Sequence, residues 1–218
     1  MSNLYADPHR QLQQQFGTEA LADTLEATIV ATEFSTAQAA FIEAQNMFFL
    51  SSLDPQGRPT VSYKGGATGF VKVLDDKTLL FPLYDGNGMF YSAGNMQMHT
   101  QVGLLFIDFQ TPNRLRVQGT AELLDSGAEM QLYPGAKLVT RVVLDQAWVN
   151  CSRYVHKLTP TSPSPYVPDA TGSAPVAMWK RIDGLQPLLS ENDQQAVAAL
   201  GTITAEAYAA KLAAGEVT

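Results

Sequence analysis

NMFFLSSLDPQGRPTVSYKGG, residues 46–66, is the stretch that decides how this chain folds. Met47 to Leu53 is apolar or small throughout, DPQG at 54–57 has the composition of a tight turn, and RPTVSYK alternates polar with apolar side chains. Two strands joined by a turn follow from that order. Alternation places Thr60, Ser62 and Lys64 on one side and Val61 and Tyr63 on the other, and Lys64 runs directly into Gly65 and Gly66.

Downstream, FVKVL, KTLLFPL, QVGLLFIDF, RLRVQGTAELL, KLVTRVVL and QAWVNCSRYV continue the strand pattern, separated by turn residues. Six or seven strands with short connections predict a closed or nearly closed antiparallel barrel. QVGLLFIDF is apolar on both faces, as expected of a strand covered by the interior on one side and by a helix or second subunit on the other. Upstream, residues 7–30 have helical composition, and a second helix starts at Ser35, where Gln38 completes a capping box. Ala37, Ala40, Phe41 and Ala44 form the stripe expected to pack on the strands. From Thr159 to Pro175 the prolines of TPTSPSPYVPDATGSAP exclude sheet pairing, and Ser190 with Asp193 opens a helical tail. The class is therefore mainly β with flanking helices (α+β). Its segments are an N-terminal helical stretch (1–35), a barrel domain (36–158), and a proline-rich arm with a C-terminal helical tail (159–218).

Composition removes several functions. A formal charge of −7 and a pI near 4.9 repel nucleic acid and anionic membrane surfaces. The single cysteine, Cys151, excludes an internal disulfide and reads as a core residue. The N-terminus has no apolar run behind basic residues, so the expected location is the cytoplasm, and no stretch approaches the roughly 18 apolar residues of a membrane span. Phosphate-loop, nucleophile-elbow, C-x-x-C and H-E-x-x-H motifs are all missing. His9, His99 and His156 have no partner at ligand spacing, so no metal is expected.

What remains is a cluster of anion-binding signals. FPLYDGNGMFYSAGN, residues 81–95, is longer than a turn requires and reads as a ligand clamp. Asn87, Ser92 and Asn95 offer neutral donors, and Phe81 and Pro82 offer an apolar edge to a planar ring. KGG and GNG leave backbone amides free to cradle an anion beside Lys64. On RLRVQG, Arg114, Arg116 and Gln118 form a second polar row. The competing reading of both rows is a solvated outer face.

The order of FIEAQNMFFLSSLDPQGRPTVSYKGGATGFVKVLDDKTLLFPLYDGNGMFYSAGN, VGLLFIDF, RLRVQGTAEL and NCSRYV, over about residues 38–156, resembles the pyridoxamine 5′-phosphate oxidase-like flavoprotein family. The resemblance implies a split β-barrel, a homodimer, and FMN held in clefts at the dimer interface. It implies that Ser62, Tyr63, Lys64 and Gly65 run beside the flavin and reach its phosphate, and that Phe81 and Pro82 touch the ring. Asn87, Gly88 and Met89 would form the phosphate turn. Arg114 and Arg116 would be offered across the interface, with Trp148, Asn150 and Arg153 near the flavin or the partner. The family's adjacent basic residues are replaced here by Gly88 and Met89, and its closing Trp-Gln-Gly and Arg-Leu-His-Asp-Arg signature by WVNCSRYVHK. Pyridoxamine phosphate is therefore not the expected substrate.

The expectation is an FMN-dependent oxidoreductase acting on a small molecule, with NAD(P)H from solution as a candidate donor and no catalytic residue assigned. The alternative is a non-catalytic dimeric binder of flavin or haem, with His99 or His156 as axial ligand. A deazaflavin user is a third reading, one that would call for more basic charge than this chain carries.

Overall fold

A computed structural model describes residue 2 and residues 4–216, which form two compact units, one up to Thr159 and one from Pro160. In the first unit, α1 (Asp7–Gln15) and α2 (Glu19–Ile29) are separated at Gly17, whose φ of 66° ends the first helix. After α2, Ala31 forms an isolated antiparallel bridge to Ala147. Next comes α3 (Thr36–Glu43), capped as its sequence predicts: the Ser35 side chain accepts from the Gln38 N–H and the Gln38 side chain accepts from the Ser35 N–H.

The strands are β1 (Met47–Leu53), β2 (Pro59–Gly65), β3 (Lys72–Val73), β4 (Thr78–Leu83), β5 (Gln101–Asp108), β6 (Asn113–Leu124) and β7 (Leu138–Asn150). They form one seven-stranded antiparallel sheet in the order β2-β1-β5-β6-β7-β4-β3, the curled sheet of a split barrel. Two helices interrupt them, α4 (Tyr91–Met98) between β4 and β5 and the short α5 (Ala128–Gln131) before β7. Phe48 is the centre of the interior: its ring lies 5.0 Å from Phe81, 5.1 Å from Phe106 and 5.9 Å from Phe70. Leu50, Leu79, Leu104, Leu115 and Val117 complete that core.

Several expectations change. KLVTRVVL and QAWVN are one strand, β7. The pairing passes from Gln118↔Gln146 to Gly119↔Leu144, so Asp145 is an extra residue in a β-bulge. CSRYV lies beyond β7, and Cys151 is exposed rather than in the core. FVKVL pairs only at Lys72 and Val73, because Phe70 and Val71 turn into the core. Of the Ala37, Ala40, Phe41, Ala44 stripe, Phe41 packs against the core and the alanines do not. Ile42 is the fully buried anchor of α3, with Gln45 beside it at the helix end, while Ala37, Ala40 and Ala44 are exposed.

The second unit contains 3₁₀ turns at Met178–Arg181 and Asp183–Leu188, α6 (Glu191–Ala198) and α7 (Ala205–Ala213). Lys180 is buried there against Asp193 at 2.7 Å, and Ser190 caps α6 by accepting from the Asp193 N–H. Among the described residues, no helix is long and apolar enough to cross a membrane.

Candidate functional site

The polar row of β2 faces inward. Ser62 pairs with Leu50, which pairs with Leu104 on its other side, so Ser62 shares the interior face with two core residues. Val61 and Tyr63, the apolar members of the strand, are 70% and 64% exposed. This is the reverse of a solvated outer face. Thr60 and Lys64 of the inward row hydrogen-bond to side chains of α4, and Ser62 and Lys64 line a cleft beside it.

α4 forms where the sequence reads as loop. Gly94 and Asn95 are poor helix formers, but burial of Ala93 and Met96 outweighs their propensity. The helix converts two candidate ligand donors into two kinds of residue. Asn95 is 3% exposed, and its amide donates to Ser52 Oγ at 3.1 Å and Thr60 Oγ1 at 3.4 Å, so it ties the helix to β1 and β2 beneath the cleft. Ser92, one turn earlier, accepts a 2.7 Å hydrogen bond from Lys64 Nζ.

Lys64 and Ser92 lie in a cleft of 450 Å³ whose walls include Ser62, Tyr63 and Gly65 of β2, Pro82 of β4, and the whole 84–91 loop. That volume is in the range of small-molecule sites. Lys64 is half-buried, and withdrawal of solvent pulls its pKa below the ordinary lysine value. Among the described residues no carboxylate pairs with it, and its hydrogen-bond partner is a neutral hydroxyl. Tyr84, also in the wall, is held neutral because burial raises its pKa. The loop is shaped by left-handed backbone at Gly88 (φ 75°) and at Phe90 (φ 47°), the latter a strained conformation for a residue with a side chain. Phe90 is the N-cap of α4 and gives no side-chain cap, and among the described residues no hydrogen bond uses the N–H groups of Tyr91, Ser92 and Ala93. These amides carry the positive end of the helix dipole into the cleft wall.

The structure thus gathers Ser62, Tyr63, Lys64, Gly65, Pro82, Asn87, Gly88, Met89 and Ser92 around one cavity. Phe81 does not line it: the ring is wholly buried against Phe48, behind the wall at Pro82. Sequence reading missed Tyr84, Phe90 and Tyr91, which also line the cleft. Their position inside the long loop was the available signal.

Arg114, Arg116 and Trp148 are not brought to this cleft within one chain. Tyr63, Phe49, Leu105, Arg116 and Trp148 are successive cross-strand partners and share the outer face, opposite Lys64. There a groove of 590 Å³ is lined by Phe49, Val61, Leu105, Arg116, Gln118 and Trp148. Arg114 donates from Nε to the Cys151 carbonyl at 3.1 Å and borders a smaller recess beside Ala37 and Phe41. Arg153 is exposed in the turn after β7, where the barrel edge has already ended. His156 is exposed, whereas His99 follows α4 with Nε2 buried and without a hydrogen-bond partner; neither lines the Lys64 cleft.

Known proteins resemble part of this chain. The family model described as pyridoxamine 5′-phosphate oxidase matches residues 34–161. No curated protein gives a significant match. Solved structures resemble the barrel at low identity. HupZ of Group A Streptococcus is 16% identical over 58% of this chain and 99% of that one, with a TM-score of 0.45. A protein of Lactobacillus delbrueckii described as a possible pyridoxamine 5′-phosphate oxidase is 21% identical over 54% of this chain and 95% of that one, with a TM-score of 0.44. HutZ of Vibrio cholerae, described as a haem storage protein, is 18% identical over 50% of this chain and 89% of that one, with a TM-score of 0.40.

Proposed function

The chain belongs to the pyridoxamine 5′-phosphate oxidase family, and on that premise we propose that it is a cytoplasmic FMN-dependent oxidoreductase acting on a small molecule other than pyridoxamine phosphate. The observation that carries this reading is Lys64: a half-buried ammonium in no ion pair among the described residues, facing a cleft whose wall holds the unpaired first amides of α4 and one carboxylate, Asp85. Burying a charge without a counter-ion is unfavourable, and a phosphate supplies the missing partner.

The residues fit FMN in kind. Lys64, Ser92 and the first amides of α4 would hold the phosphate, and Gly88 leaves room for backbone to approach it. Tyr63, Pro82 and Tyr84 would border the ring system. When bound, FMN supplies the transfer of hydride or single electrons, and the chain's own residues bind, orient and exclude water. Tyr84, kept neutral by its burial, can donate a hydrogen bond without adding charge. NAD(P)H from solution is the proposed electron donor.

The outer row completes the site in a homodimer. Arg116 and Trp148 lie on the face where Val61 and Tyr63 are exposed, and a second copy seated there would bring its arginine to the cleft edge by two-fold symmetry.

Titration with FMN, followed by flavin fluorescence, tests the reading. Wild type is expected to bind and Lys64→Ala to bind about one to two powers of ten more weakly, the roughly 1.5–3 kcal/mol of a hydrogen bond to a charged group. An unchanged Kd removes Lys64 from the site. Oxidation of NAD(P)H by the loaded protein separates an enzyme from a carrier, and a Soret band on adding haemin, with no flavin binding, replaces this reading by the haem one.

A further inference from the structure

Lys64 also has a chemistry of its own, which goes beyond the flavin reading. Its Nζ is partly withdrawn from water, makes no ion pair among the described residues although Asp85 lines the same cleft, and touches a hydroxyl at 2.7 Å. Solvation and ion pairing are what keep a lysine protonated, so an amine with less of both is more often neutral and nucleophilic than one in water. Four aromatic residues, Tyr63, Tyr84, Phe90 and Tyr91, stand in the surrounding wall. The amides at the start of α4 lie in the same wall and suit an anionic group.

We propose that in the flavin-free chain Lys64 is a reactive amine that condenses reversibly with aromatic aldehydes carrying an anionic group. The Nζ lone pair adds to the carbonyl carbon; a C–N bond forms, the C=O π pair moves to oxygen, and that oxygen takes a proton. The carbinolamine then loses its oxygen as water, the nitrogen gives up its proton, and a C=N bond remains. One amine and one aldehyde give one imine and one water, with no change of oxidation state. The Ser92 hydroxyl, within hydrogen-bond reach of Nζ, is placed to pass the proton from the nitrogen to the departing oxygen.

The test uses the full-length protein and 4-formylbenzoate at neutral pH, with cyanoborohydride to trap the imine and peptide mass spectrometry to locate it. Lys157, which is exposed, is the internal reference in each digest. Lys64 is expected to label at least tenfold faster than Lys157, and equal or slower labelling of Lys64 overturns the proposal. Ser92→Ala is expected to slow Lys64 at least threefold and leave Lys157 unchanged; an unchanged Lys64 rate overturns the relay. Saturating FMN separates this inference from the flavin reading. Protection of Lys64 supports both. Labelling undiminished by FMN leaves the reactive amine standing and removes flavin from the cleft, whereas an unlabelled Lys64 in a chain that still binds FMN overturns the inference alone.

Discussion

Lys64 and Asn95 were both read from the sequence as ligand donors, and their surroundings give them different work. Burial pulls the Lys64 pKa down, so folding favours its neutral form. Between the folded value and the ordinary lysine value of about 10.4 the unfolded chain holds more protons, and this group's contribution to stability therefore rises with pH across that window. A bound phosphate reverses the preference. Phosphate affinity is expected to fall as pH climbs through the Lys64 pKa of the free protein, and calorimetric titration at about pH 7 and about pH 10 measures it; equal affinities would put the anion elsewhere. Asn95 acts on the fold instead. Asn95→Ala removes two hydrogen bonds from a buried site and should cost about 1–3 kcal/mol in urea unfolding. Alternation along RPTVSYK was legible in the residues, but which side was inside was not, because the polar row has the composition of a surface. Pairing beside core residues and contact with α4 place that row on the inner side.

At the scale of elements, strands were easier to read than the segments between them. β1, β5 and β6 form where their apolar patterns predict, and β2 keeps its alternation with the polar side inward, since period-two alternation is a local property. The join inside β7 was hidden. Asp145 looks like a break, and the bulge opposite Gly119 absorbs it. Gly119 is required there: a Cβ would lie 2.4 Å from the Val143 carbonyl oxygen and 2.7 Å from Val142 Cγ1. Gly119→Ala is expected to destabilise the barrel by about 1–3 kcal/mol, read as a lower urea midpoint with unchanged slope. A midpoint equal to wild type would mean that β7 shifts freely at the bulge. α4 was missed because its residues favour a loop locally, and the gain from burying Ala93 and Met96 is a tertiary one.

At the scale of the whole molecule, the barrel leaves an outer face whose polarity is inverted at one edge, with Val61 and Tyr63 exposed beside a groove that holds Arg116 and Trp148. We expect sedimentation to give twice the 23.6 kDa chain mass, and Val61→Lys together with Tyr63→Glu to give the monomer while far-ultraviolet dichroism is retained. A double variant that still sediments as a dimer would place the interface elsewhere. By itself the sequence determined most strand segments along the chain, the capped α3, the antiparallel barrel and the family, all of which depend on neighbours in the chain or on motifs in linear order. The tertiary structure decided which polar row is inside, that Phe81 and Asn95 support the cleft from beneath, and that Lys64 and Arg116 stand on opposite faces of one sheet. Those outcomes depend on what packs across a strand from elsewhere in the chain, and residue spacing carries no information about that cover.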